Sequence, residues 1–242
     1  MEIDLPISIM AQPDDTTCGP TCLHSIYRYY RDEITLDQVI DEVQKLKEGG
    51  SLAVLLACHA VKRGYRAKIY TNNLQVFDPS WFIQRKGNSP ASRMLIEKLS
   101  RQNQIKNDSK LAEATQAYLE FLNSGGEILF QEFSPDLIKN YISRSIPILT
   151  GLSATYLYRS MREYSDENSM TVYDDIEGYP TGHFIIIKGI SSSHKKVYIA
   201  DPYRKNPFAN EHYYSVTINR LIHSILLGIL TYDANLLVVT KP

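Results

Sequence analysis

TTCGPTCLHSIYRYYR, residues 16–31, is the stretch from which the rest of the chain is read. Cys22, Ile26 and Tyr30 recur every four residues, and Leu23 and Tyr27 flank them. That spacing predicts a helix with one apolar, buried face. Thr16 or Thr17 can cap it, Gly19 makes a tight start, and Pro20 is tolerated in a first turn. Cys18 therefore heads a helix whose far side is anchored in a core. The positive end of a helix dipole favours the thiolate, which is the reactive form of a cysteine. A lone cysteine would read as a small buried hydrophobe. Three other residues change that reading.

Gln12 stands six residues before Cys18, in AQPDDTTC. Its side-chain amide can donate to the oxyanion formed when a thiolate attacks a carbonyl, and the nucleophile's own N–H supplies a second donor. Far downstream, GYPTGHFIIIKGI places His183 at the head of a strongly apolar strand. The next strand, VYIA, runs into Asp201-Pro202. A hairpin of these strands puts His183 and Asp201 at one end of a sheet. There the carboxylate can accept from one ring nitrogen while the other faces the thiol.

This constellation resembles the papain-like cysteine peptidases, most closely the branch that contains the bacteriocin leader-processing peptidases (family thirty-nine). The match lies in Gln12, the CGPTCL run from Cys18, GHFIII at His183 and ADPY at Asp201. The segment GGSLAVLLACHAVKRGYRAKIY, residues 49–70, adds a helix followed by a strand. The resemblance implies Cys18 as nucleophile, His183 as base, Asp201 as its orienter and Gln12 as oxyanion donor, with no cofactor or metal. One departure concerns the middle of the chain. The leader-processing domains are much shorter, so extra material between Cys18 and His183 bears on substrate more than on chemistry.

The 242 residues are 43% hydrophobic and 22% charged, enough to bury a sizeable core. A net charge of −1 without a long basic run argues against nucleic acid as a partner. Three cysteines suit a reducing compartment better than a disulfide framework. The start MEIDLPISIMAQPDD lacks the basic region of a signal peptide, and the longest apolar run, ILLGIL at 225–230, is too short to span a bilayer. The expectation is a cytoplasmic protein without stable membrane association, acting on a peptide or protein; its oligomeric state is left open.

After the cysteine helix, TLDQVIDEVQKL opens with a capping-box pattern, Thr35 with Gln38. Gly49-Gly50-Ser51 then leads into a third helix, which Gly64 closes before a strand at about 65–70. Within that helix Cys58 reads as a core thiol and His59 as a surface imidazole. The stretch from about 72 to 130 reads as a helical insertion into a single domain spanning 1–242. Its NNLQVFDPSWF loop carries Phe77, Trp81 and Phe82, which either line the cleft and shape substrate choice or pack into the core. Gly182, beside His183, is taken with them as substrate-facing. Residues 161–180 are rich in Asp and Glu, with Arg162 their one basic residue. That pattern suits a solvated loop, and its place just ahead of His183 also suits a gate or a contact for a basic substrate group. A last helix at 217–227, with His223 structural, and a strand at 236–239 complete the chain.

Other chemistries fit less well. Cys18 and Cys22 are not spaced as CxxC, and neither a GxxxxGK loop nor a GxGxxG occurs. The expected architecture is α+β and papain-like: helices of the N-terminal third form one lobe, antiparallel strands of the C-terminal half the other, and the cleft lies between. The expected reaction is hydrolysis of a peptide or amide bond through a thioester. Two alternatives are acyl transfer or transpeptidation by the same residues, and a peptide-binding module that does not cut.

Overall fold

Short apolar runs such as FIII, IPIL and LLVV have no polar face, so the strands they form must be covered on both sides. The computed structural model describes residues 2–47, 49–83, 92–167, 170–208 and 211–242. A two-residue strand β1 (Ile3–Asp4) precedes α1 (Cys18–Tyr29), α2 (Leu36–Glu42), α3 (Ala53–Lys62) and β2 (Arg66–Thr71). Then come α4 (Ser92–Ile105), α5 (Ser109–Asn123), β3 (Glu127–Phe130), α6 (Pro135–Ile142), β4 (Ile148–Ser153) and α7 (Ala154–Tyr158). The chain continues through β5 (Glu163–Ser165), β6 (Thr171–Tyr173), β7 (Gly182–Ile190), β8 (Lys196–Ala200) and β9 (Tyr213–Thr217). It ends with α8 (Ile218–Leu227) and β10 (Asn235–Thr240).

The main sheet runs β3-β2-β10-β4-β7-β8-β9, with β1 added to β7. All its neighbours are antiparallel except β2 and β3, which bracket the intervening helices and run parallel. β4, β7 and β10 are buried along nearly their whole length. The division into an N-terminal helical lobe and a C-terminal sheet lobe needs one correction: β2, from the N-terminal third, lies inside the sheet beside the C-terminal strand β10. The chain's last strand is thereby buried between β2 and β4, where its LLVV run is covered by neighbours on each edge.

Helix α1 sits against β7. Leu23, Ile26 and Tyr27 are fully buried, and the Cys22 thiol donates to the Phe184 carbonyl of β7 at 3.3 Å. Leu23 and Ile26 each contribute about 1.5–3 kcal/mol on burial, which pins the helix and with it Cys18. The expected threonine cap is not formed. Thr17 precedes the helix, but its hydroxyl donates to the Asp14 carbonyl at 3.0 Å, and Thr16 Oγ1 donates to the Asp14 carboxylate at 2.7 Å. Asp14 thus shapes the turn that delivers Cys18. By contrast, the capping box on α2 forms as expected, with the Gln38 N–H on Thr35 Oγ1 at 3.2 Å. That helix stops at Glu42 rather than near Leu46, because Val43 turns extended and buries its side chain.

The helical insertion holds two helices, α4 and α5, the second capped by the Asp108 carboxylate on the Leu111 N–H at 3.0 Å. Residues 84–91 of that insertion lie outside the described residues. His59 is not a surface imidazole. It is buried, with Nδ1 on the Tyr27 hydroxyl at 2.8 Å and Nε2 on Glu42 at 3.1 Å, and burial holds it below the ordinary histidine range.

Candidate active site

His183 is the second residue of β7 and pairs with Leu152 of β4. On the other side, Ala200, the last residue of β8, faces Ile186 of β7. Carrying that register on by one residue sets Asp201 across from Ile185, which shares a face with His183. The imidazole and carboxylate are therefore diagonal neighbours on one face, and Nε2 of His183 lies 2.8 Å from Oδ1 of Asp201. With Nε2 engaged by Asp201, Nδ1 is the ring nitrogen left for a thiol, and Cys18 is near enough to His183 to act on its protonation. Cys18 and His183 are each 8% exposed, and Asp201 is fully buried.

Asp201 is held by more than the histidine. Oδ1 also accepts the Tyr203 N–H at 2.8 Å, and Oδ2 accepts the hydroxyls of Tyr158 and Tyr214, each at 2.6 Å. Burial works to raise this carboxyl, but the His183 charge and these hydrogen bonds together hold it below the usual carboxylate range. For His183 burial works against the imidazolium, yet the charge and hydrogen bond of Asp201, helped by Cys18, push it up to about 10. The buried carboxylate thus favours the protonated ring, the form His183 takes when it accepts a proton from a nucleophile. The other two thiols have no such neighbour. Burial pushes Cys22 well above the ordinary thiol range and Cys58 up to about 12.

Gln12 is tied to the same place by its backbone, whose N–H donates to the Pro202 carbonyl at 3.1 Å. Its Nε2 donates to the Asp14 carbonyl at 2.9 Å. The reversed amide would oppose two oxygens, so the –NH₂ end is the one near Asp14, and among the described residues its second N–H has no hydrogen-bond partner. Gln12, Gly182 and His183 line one cavity of about 720 Å³. Its other walls come from Asp15, from Thr155 and Tyr158 to Met161, from Glu163, Thr171 and Tyr173, and from Tyr203 and Lys205.

The acidic run is not simply a solvated loop. β5 and β6 pair within it as a small hairpin, and its strand β6 reaches both flanks of the cavity. Tyr173 faces Tyr203 across the cavity wall, and Thr171 Oγ1 lies 3.5 Å from the Asp15 carboxylate.

Phe77, Trp81 and Phe82 lie elsewhere. Phe77 packs edge-on against Tyr118 at 4.8 Å between ring centroids and against Phe82 at 5.9 Å, while Phe82 stacks near Phe130 of β3 at 5.3 Å. β10 and β4 separate this edge of the sheet from β7, and none of the three lines the cavity. Of the two readings of that loop, core packing is the one the structure shows. Three large rings beside the open edge strand β3 gain more from burial than from exposure at a cleft.

Sequence reading missed Tyr158, Tyr214 and Tyr203. In a chain with 17 tyrosines nothing in their local pattern separates them from the rest. Among the described residues no group of three or more His, Cys, Asp or Glu is arranged to hold a metal ion.

A thiol at a helix start, an imidazole on a neighbouring strand and a buried carboxylate behind it, in a mixed helix-and-sheet fold, define a papain-like cysteine peptidase. The sequence pattern of the Peptidase_C39 like family matches residues 4–222, and the chain belongs to that family. A proposed C39-like peptidase from Bacillus anthracis shares the fold, with a TM-score of 0.50 at 13% identity, covering 100% of this chain and 98% of that one. Two more distant structures also align over 100% of this chain. One is a double glycine motif protease from an AMS/PCAT transporter in complex with the leader peptide (TM-score 0.43, 13% identity, 99% of that chain). The other is xylellain, a cysteine protease from Xylella fastidiosa (TM-score 0.41, 11% identity, 86% of that chain). No curated protein matches the sequence. Among the described residues no helix is long and apolar enough to cross a membrane.

Proposed function

We propose that this cysteine peptidase hydrolyses a peptide bond of a peptide or protein substrate through Cys18, His183 and Asp201, with Gln12 at the oxyanion. The observation that carries the reading is the 2.8 Å bond from His183 Nε2 to the buried Oδ1 of Asp201, with Cys18 acting on the same imidazole. Cys18, its proton on His183, attacks the carbonyl carbon, and the carbonyl π-electrons move to oxygen. The free N–H of Gln12 and the Cys18 N–H donate to that oxyanion. His183 returns its proton to the leaving amine as the C–N bond breaks, leaving a thioester on Cys18. His183 then takes a proton from water, whose oxygen attacks the thioester. The thiolate leaves, and the acid product carries the new C–O bond. Asp201 keeps the ring oriented and offsets its positive charge throughout. Gly182 borders the cavity beside His183, and its missing side chain makes room for Thr231, whose Oγ1 would lie 2.8 Å from a Cβ there; the segment from about 72 to 130 is an insertion that buttresses the sheet edge.

Mass spectrometry of the protein after exposure to a peptide library tests this. An acyl adduct is expected on the peptide that carries Cys18, together with cleaved products. Both should vanish in Cys18→Ala. Cleavage that survives in Cys18→Ala, or the absence of both adduct and product in the parent, would overturn the reading.

A further inference from the structure

The Oδ2 atom of Asp201 is occupied in a way the reaction above does not use. Two phenol hydroxyls, from α7 and from β9, converge on it at 2.6 Å each. Burying a tyrosine hydroxyl costs free energy unless it is bonded, so two on one oxygen are a specific arrangement. Their rings are also tied to the site. Tyr158 lies 6.1 Å from the His183 ring and 5.9 Å from Phe208, which stacks 4.7 Å from Tyr214.

We infer that Tyr158 and Tyr214 are positioning residues that lock the Asp201 carboxylate, so that only Oδ1 is presented to His183 and the buried charge stays ionised. The inference rests on the assignment of Asp201 as the orienter of His183. A carboxylate turns about its Cα–Cβ and Cβ–Cγ bonds, and one anchored only at Oδ1 can swing and let the imidazole tilt away from the thiol. Two O–H donors on Oδ2 and the Tyr203 N–H on Oδ1 remove that freedom. They also spread the negative charge of a fully buried group, where a bare carboxylate would sooner take up a proton. The ionisable groups facing Asp201 are His183 from β7, Tyr158 from α7, Tyr214 from β9 and, farther off, Cys22 from α1. The His212 ring bonds the Asp201 backbone carbonyl at 2.7 Å, and Arg220 of α8 acts on Tyr214.

The test uses Tyr158→Phe and Tyr214→Phe, singly and together, and reads the iodoacetamide alkylation rate of Cys18 against pH. No substrate is needed. With one donor lost, Asp201 protonates more readily as pH falls, and a protonated Asp201 no longer supports the buried imidazolium or its thiolate partner. The acid limb of the alkylation profile should therefore move to higher pH, by roughly half a unit to one unit per tyrosine. With a substrate in hand, kcat should fall about tenfold while KM stays within about twofold. The second arm places Tyr158→Phe in an Asp201→Asn background. With no carboxyl left to protonate, the tyrosine change should then leave the acid limb unshifted.

Unshifted profiles in folded Phe variants would overturn the inference and mark the tyrosines as packing residues. So would an equal shift of the acid limb from Tyr158→Phe whether Asp201 is intact or replaced by Asn. Slow, pH-independent labelling of Cys18 in the parent would instead overturn the catalytic reading. If one Phe variant does not fold, the other carries the same prediction, because each donates to the same oxygen.

Discussion

Asp201→Asn keeps the size of the side chain and removes its charge. The amide oxygen can still face His183 and the Tyr203 N–H, while its –NH₂ turns toward Tyr158 and Tyr214, whose hydroxyls can rotate to accept. The ring should therefore stay near its place, and what is lost is the charge on the 2.8 Å bond to His183. Hydrogen bonds to charged groups contribute about 1.5–3 kcal/mol. At about 1.4 kcal/mol per factor of ten, kcat/KM should drop about 10- to 100-fold, less than in His183→Ala, which removes the base. The pH dependence has a definite sign. His183 is raised to about 10, so its pairing stabilises the fold fully below its unfolded value of about 6.5 and is lost as pH rises through the folded value. Asp201 is held low, so its share is present above about 4 and is lost as pH falls through the folded value. Urea melts of parent and variant should differ most near pH 6 and converge toward pH 10. Parental kcat/KM, or a stability gap unchanged from pH 6 to pH 10, would refute the reasoning.

Four further outcomes are expected. Gln12→Ala should leave folding and Cys18 labelling intact yet lower kcat by about 10²-fold or more, the loss typical of one oxyanion donor; turnover at the parental rate would make Gln12 a loop residue. Limited iodoacetamide treatment followed by peptide mapping should modify Cys18 before Cys22 and Cys58, whose thiols burial pushes up, and equal labelling of all three would count against the site. Phe77→Ala, which empties a side chain only 1% exposed, should cost about 3–5 kcal/mol in denaturant melts without altering where a substrate is cut; a changed cleavage pattern would restore a cleft role. Asp233 is buried, accepts the Ala53 N–H at 3.1 Å, and is raised by burial to about 7. A carboxyl raised on folding costs stability progressively between about pH 4 and its folded value, so Asp233→Asn should gain on the parent across that window, by at most about 4 kcal/mol at pH 8. A stability difference equal at pH 4 and pH 8 would show that Asp233 folds with an ordinary carboxyl.

The sequence by itself determined the elements that depend on local pattern. Four-residue spacing in CGPTCLHSIYRYY makes α1 a helix with one apolar face, the Thr35–Gln38 pair starts α2, and unbroken FIII and LLVV runs can only be covered strands. It also ordered Gln12, Cys18, His183 and Asp201 along the chain at the ends of such elements, where side chains can meet. What it could not carry was any relation set by pairing between distant segments. The last strand inserts between β2 and β4 because that site buries both of its faces, a choice made by the whole sheet. Phe77, Trp81 and Phe82 read as cleft residues or core residues equally well, since an aromatic looks the same in sequence either way, and the β3 edge decided the matter. His59 turned inward because Tyr27 and Glu42 could satisfy both its nitrogens. The tyrosines on Asp201 come from residues 43 and 13 positions away, and only the packing of α7 and β9 around one buried charge brings their hydroxyls together.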